Sequence, residues 1–496
     1  MTPFKKKNRL VTTLCFVVLM SSMLLSACNI ATKPGYIIVP TSTSTEDAQS
    51  AITPFPTKPV YAPGTLVDYT AQTGDTLPAL AARFNTTIDE IMAANTIIPQ
   101  NATTIPPGLP MQIPIYYRPL WGTDFQIIPD SIFVYSPQVS DFSTSDFINT
   151  STGWFKYYKA DSQGRQLTAA QMILWIAENY SINPQVLLAL VEYQKGAVTN
   201  YSRDYVNEET WLGFDDISYP GIYLQISYAA NLLNDGFYRY RTGDMITFEH
   251  LDGRIENTDP WQNAATVALQ YYFSRILDRD AYLQAIGPDG YLKTFQILFG
   301  DPWENTQPHI PGSLVQPELA LPFAEGKTWA LTGGPHTGWG NLAPWAAIDF
   351  APPSSIGGCA ASPEFSTAVA AGVIARTGPG IVVLDLDGDG DERTGWVIFY
   401  LHIAAEGMVR KGTEVKVGDP IGHPSCEGGR STGTHIHIAR RYNGEWIPAH
   451  GTIPLNLSGW VAVNGNQPYA GSLVKGDWVV ISNPNPDNKS FITAGQ

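Results

Sequence analysis

Hydrophobic positions along this chain change their period from one stretch to the next. Residues 10–25 form a mostly apolar, uncharged run. Residues 29–64 are rich in Thr, Ser, Pro and Ala with no amphipathic period, which predicts an extended, flexible stalk. The run 66–71 reads as a strand, and Leu77, Leu80, Ala81 and Phe84 then recur at helical spacing. Thr87 is placed to cap a second short helix through Ile88, Ile91 and Met92, and residues 107–114 close the unit with a Pro-Gly turn and a strand. Farther on the period is helical: over 169–180, again from Asn183 and Pro184 through Val186, Leu187, Leu190 and Val191, and around 223–233 and 262–273. Asn as N-cap followed by Pro at the first helical position fixes the start of the second of these. From 311 to 496, many glycines and alternating apolar runs predict antiparallel strands. The pattern thus divides the chain into 1–28, a linker over 29–64, a βααβ module over 65–116, a mostly α middle domain over 125–308, a mostly antiparallel β domain over 312–470 and a tail over 471–496.

The chain has 496 residues, enough for three domains, and a formal charge of −15. No basic field is available to neutralise phosphates, so nucleic acid is excluded as a partner. An anionic surface would not attract this chain electrostatically either, so affinity for one has to come from specific binding or a tether.

Candidate chemistry concentrates in the β-patterned segment. In Thr434-His435-Ile436-His437, two imidazoles two residues apart on a strand point to one side. His402 follows the strand-like run 396–401, and His336 and Asp349 lie upstream. Three ligands, an open position and nearby unliganded bases are what a catalytic zinc site requires. Together with Gly372-Val373-Ile374, the run 411–422 and Gly429-Arg430-Ser431-Thr432-Gly433, these residues resemble the lysostaphin-type zinc metallopeptidases of peptidoglycan from about 312 to 469. The resemblance implies one zinc per chain on His336, Asp349 and His437. It implies His402 and His435 as the pair that handles the nucleophilic water and the oxyanion, without saying which does which. The family spacing is His-x-x-x-Asp, whereas His336 and Asp349 are 349 − 336 = 13 apart, so 337–345 reads as an inserted loop. His250, His309, His423 and His450 read as surface or hydrogen-bonded core residues. Asp385, Asp387, Asp389 and Asp391 alternate like the start of a Ca2+ loop, but position twelve is Trp396 and strands flank the run, which favours a solvated hairpin turn.

At the N-terminus, Lys5, Lys6, Lys7 and Arg9 precede the apolar run, and Leu25-Ser26-Ala27-Cys28 resembles a bacterial lipobox. The implied outcome is a lipidated Cys28 and a lipid-anchored, extracytoplasmic lipoprotein facing the cell wall. Cys15 leaves with the signal, so Cys359 and Cys426 remain as an even pair in an oxidising compartment and read as a disulfide. Tyr69-Thr70, Gly74-Asp75-Thr76-Leu77, Asn95 and Pro107-Gly108 resemble a LysM domain, which implies binding to N-acetylglucosamine strands. The run 182–190, Tyr219-Pro220-Gly221 and Asn263-Ala264-Ala265-Thr266 resemble lysozyme-like lytic transglycosylases. Where those enzymes carry a catalytic glutamic acid this chain has Gln194, and Glu192 is about 200° away around the helix. A degenerate, glycan-binding or scaffolding domain is expected. The expected whole is a peptidoglycan endopeptidase acting on stem or cross-bridge peptides. The rivals are a metal-free regulator of another wall hydrolase and a glycan-cleaving enzyme acting through the middle domain.

Overall fold

The structure is a computed structural model that describes residues 59–116, 118, 122–162, 165–203, 207–215, 218–353 and 357–496. The signal segment, the lipobox Cys28 and the linker up to residue 58 lie outside the described residues. Among the described residues no helix is long and apolar enough to cross a membrane.

The first module pairs β1 (Thr65–Thr70) antiparallel with β2 (Pro110–Ile115), with α1 (Leu77–Phe84) and α2 (Ile88–Ala94) between them in the chain. Each helix starts where a threonine hydroxyl accepts a backbone N–H: Thr76 from Ala79, and Thr87 from Glu90, whose carboxylate returns the bond to the Thr87 backbone. Tyr69, Leu80, Phe84, Ile91 and Ile113 form its buried core.

The middle domain packs α3 (Ala169–Tyr180), α4 (Pro184–Lys195), α5 (Ile222–Thr242) and α6 (Ala264–Ser274) around one apolar core. Asn183 caps α4 through Gln185 N–H, as its sequence predicts. α5 runs farther than the pattern suggested, to Thr242 rather than 233. Its second half alternates apolar residues with Asn234, Asp235 and Arg241, which are buried and hydrogen-bonded rather than solvated.

In the third domain, a nine-stranded sheet is built around β3 (Thr328–His336), β4 (Ala347–Ala351), β5 (Gly372–Gly378), β6 (Ile381–Asp385), β7 (Trp396–Leu401) and β8 (Ile436–Tyr442). Its central order is β5-β6-β7-β8-β4-β3, all antiparallel. One face carries Ile348, Ile398, Tyr400, Ile436 and Ile438 into this domain's own core. The other carries Val383, Phe399, Leu401 and Ala439, with Trp446 nearby, into the core of the middle domain. The two domains therefore share a core across the sheet, which is possible because every strand residue faces one side or the other.

The segment 471–496, expected to be a tail, is instead structural. Gly471–Lys475 and Trp478–Ile481 pair in a four-stranded sheet, and Phe491–Thr493 adds an edge strand against β3. Its strands are three to five residues long and separated by Gly, Asn and Pro, so no sustained alternation marks them in the sequence.

Candidate metal centre

His437 on β8 and Asp349 on β4 are direct cross-strand partners, so both side chains leave the same face. Gly333 on β3 is the next partner of Asp349. A Cβ there would lie 2.5 Å from Asp349 Oδ2, so only glycine lets the carboxylate lie across that strand. His336 ends β3. His435 lies just before β8, in an isolated bridge to Ser425, and still turns its ring toward Asp349. His402 follows β7 with φ +69°, an uncommon conformation for a non-glycine residue.

Each of the four rings has its tautomer fixed by a backbone carbonyl. A carbonyl only accepts, so the nitrogen facing it must carry the proton. His336 Nδ1 donates to Gly334 O at 2.8 Å, and His437 Nε2 to Gly338 O at 3.0 Å. His435 Nδ1 donates to Gly433 O at 2.8 Å, and His402 Nδ1 to Glu427 O at 2.9 Å. The remaining nitrogens carry lone pairs.

Two of those lone pairs converge on one carboxylate oxygen. Asp349 Oδ1 lies 3.2 Å from His336 Nε2 and 3.3 Å from His437 Nδ1, and the two nitrogens are 3.0 Å apart. Three acceptors face one another with no proton between them, and Asp349 Oδ1 is buried without a hydrogen-bond partner. Such an arrangement is costly unless a cation lies at its centre. Bonds of about 2.0–2.1 Å at tetrahedral angles put neighbouring ligand atoms about 3.3–3.4 Å apart, close to these separations. The donor set, two imidazoles and a carboxylate, fits zinc.

Burial favours the neutral form of Asp349, whereas positive charge at His336 and His435, which a bound cation would supply in their place, holds its carboxyl well below the usual carboxylate range. Burial lowers His437, and burial with His435 and His437 nearby pushes His402 down to about 3. His402 is therefore a neutral ring near pH 7. The rings of His402 and His435 lie 4.5 Å apart, and His435 Nε2 is 3.8 Å from Asp349 Oδ1. The structure thus brings all five residues singled out in the sequence into one cluster. Tyr469, which the sequence did not single out, stacks on the His336 ring at 4.0 Å.

Cys359 and Cys426 form the expected disulfide. The other histidines lie elsewhere: His309 bonds Glu445 at 2.6 Å, His250 bonds Glu256 at 2.9 Å, His423 bonds Glu364 O at 3.0 Å, and His450 is exposed. In the middle domain, Glu192 Oε2 accepts from Val198 N at 2.8 Å and Thr199 N at 3.1 Å, closing the turn after α4. Gln194 Oε1 accepts from Tyr272 OH at 2.7 Å.

Residues 69–114 match the LysM domain model, and residues 126–312 match the model described as LasA, N-terminal domain. The middle region, for which the sequence suggested a lysozyme-like resemblance, thus matches the N-terminal domain of a protease. Protease LasA from two strains of Pseudomonas aeruginosa is 26% identical to this chain over 301 and 299 residues, 55% of this chain. The match spans 66% of the relatives' own length. Among solved structures, an M23 metalloprotease, pseudoalterin, from the deep sea is 22% identical with a TM-score of 0.29, covering 34% of this chain and 96% of its own. The catalytic domain of lysostaphin from Staphylococcus simulans is 23% identical with a TM-score of 0.18, covering 25% and 88%.

Proposed function

We propose that this chain is a zinc-dependent endopeptidase that cuts peptide bonds of peptidoglycan. The single observation that carries the reading is the unpartnered Asp349 Oδ1 facing the lone pairs of His336 and His437. These three residues would hold the ion. A zinc ion there supplies Lewis acidity, which polarises an amide carbonyl and acidifies water. His402 and His435 do the proton work. With Nδ1 of each ring bonded to a carbonyl, each Nε2 is an acceptor that can take a proton from an attacking water. The ring that gains that proton becomes a donor and can then hydrogen-bond a developing oxyanion or protonate the leaving amine.

Substrate class rests on the resemblance to lysostaphin-type enzymes, on the LysM match and on the similarity to protease LasA. In this reading the LysM module holds N-acetylglucosamine strands, and stem or cross-bridge peptides reach the metal centre. Lipidation at Cys28 tethers the chain outside the membrane, facing the wall. The glycan-cleaving alternative is disfavoured because both candidate side chains, Glu192 and Gln194, are engaged in intramolecular bonds. The test is digestion of purified peptidoglycan followed by mass spectrometry of the products. New free amino and carboxyl termini that vanish with chelator support the reading. New reducing ends or anhydro-sugars without peptide cleavage would overturn it.

A further inference from the structure

We infer that the middle helical domain is a positioning element of the metal centre: α5, through Asn231 and Asp235, holds the loop whose Gly338 carbonyl sets the tautomer of His437. The inference rests on the proposed metal reading and names its dependence on another domain.

His437 presents Nδ1 to Asp349 only because its Nε2–H donates to Gly338 O at 3.0 Å. Gly338 belongs to no strand; it sits in the inserted loop between β3 and β4. Inside the loop, Gly338 N donates to Pro344 O at 3.0 Å and the Thr337 hydroxyl to Trp339 O at 3.0 Å. Within the third domain, Trp345 O also accepts Ala449 N–H at 2.8 Å, and the middle domain adds further bonds. Asn231 Oδ1 accepts Asn341 N–H at 3.2 Å, and Asn231 Nδ2 donates to Asn341 Oδ1. Asn341 Nδ2 reaches Tyr219 OH at 3.1 Å, and Asp235 Oδ1 accepts Ala343 N–H at 3.2 Å.

The same helix also supports the loop from beneath. Gly338 lies on the Trp446 ring, where a Cβ would come within 3.0 Å of Cε3. Trp446 N–H donates to Tyr238 OH at 2.9 Å, and its indole N–H to Tyr180 O at 3.2 Å. Asn231, Asp235 and Tyr238 follow at i, i+4 and i+7, one stripe down α5. All three are buried, Asn231 at 2% exposure and Asp235 at 6%, so water does not readily replace these bonds. Gly340, at φ +94°, lies so close that a Cβ would fall 2.3 Å from Asn231 Oδ1. Loop and helix are therefore in direct contact, with no layer that could slide. Partners that orient a ligand's second nitrogen tune metal affinity even though they never touch the ion.

The experiment uses the full chain with Asn231→Ala, Asn341→Ala and the double variant. Zinc affinity is read by competition with a chromophoric chelator, and turnover is read on peptidoglycan. Each single variant should bind zinc ~10–100-fold more weakly. The double variant should be no weaker than either single one, because both remove the same interaction. If Asn231→Ala fails to fold, Asn341→Ala tests the contact from the loop side. A control, Ser181→Ala, removes a 2.6 Å bond to Gly444 O and a 3.1 Å bond from Arg441 Nη1, both between the same two domains and neither to a loop residue, and should leave zinc affinity unchanged. Wild-type zinc affinity in the loop variants would overturn the proposal. So would turnover that rises at unchanged zinc affinity, which would make the middle domain a cover. Equal weakening in the Ser181 control would overturn it too, as a general docking effect. Failure of the wild-type chain to bind zinc would instead overturn the metal reading itself, and is distinguished by being read on the unaltered protein.

Discussion

Among the described residues, two clusters of the third domain bring potential metal ligands close enough to hold an ion, and the direction of the neighbouring donors separates them. His336, Asp349 and His437 form the first; Asp385, Asp387 and Asp389 form the second. Asp385 is as buried as Asp349, yet its acceptors are satisfied. Oδ1 takes a bond from Asp387 N at 3.2 Å, and Oδ2 takes bonds from Gly388 N at 3.1 Å and Gly390 N at 2.8 Å. Burial pushes its carboxyl up to about 6. A carboxylate whose lone pairs already face backbone N–H groups closes a turn, here the hairpin between β6 and β7. A carboxylate that faces only other lone pairs needs a cation. Acidic crowding alone does not tell the two apart; the direction of the neighbouring donors does.

The comparison breaks most visibly at the metal ligands. His437→Ala should reduce peptidoglycan turnover to background, as should chelation of the wild-type chain, read by release of free amino groups. His402→Ala and His435→Ala should keep their zinc but lose ~10²- to 10⁴-fold in turnover, the usual cost of removing a base or oxyanion donor. A kcat/KM measurement on metal-loaded variants checks this, and wild-type turnover in either would remove that ring from the mechanism. Glu192→Ala leaves the buried Val198 N–H without its acceptor and should destabilise the chain by about 1–3 kcal/mol in denaturant. Peptide cleavage per folded molecule should not change; a selective loss of cleavage would give Glu192 a catalytic role. Asp389→Ala, at an exposed position in the hairpin, should shift stability by less than about 0.5 kcal/mol, and added calcium should not raise the melting temperature of the wild type. A calcium-dependent rise would make the second cluster a site.

Residue type and period reveal the elements whose faces are simple. α3 and α4 are legible because their apolar stripes are uninterrupted and Asn183-Pro184 marks a start. The second half of α5 is not, because Asp235, Tyr238 and Arg241 face another domain, and Asn234 bonds Tyr180 O in its own, rather than water. A polar stripe at helical spacing looks the same in sequence whether it is solvated or buried. The five residues of the centre are legible as an unusual gathering of histidines and a carboxylate in one β segment. What is not legible is the arrangement that gives them meaning: four carbonyls from Gly334, Gly338, Glu427 and Gly433 fix the tautomers. Any residue can offer a carbonyl, so sequence carries no sign of them. The short strands of 471–496 are hidden because each is too brief to show a period: the edge strand pairs with β3 and buries only Ile492.

Metal analysis of three purified proteins tests the central claim most directly: the wild-type chain, Asp349→Ala and the double variant Asp387→Ala/Asp389→Ala. The geometry predicts about one zinc per chain in the wild type and in the double variant, and only trace zinc in Asp349→Ala. Full zinc in Asp349→Ala, or zinc that disappears with Asp387 and Asp389 instead, would contradict it.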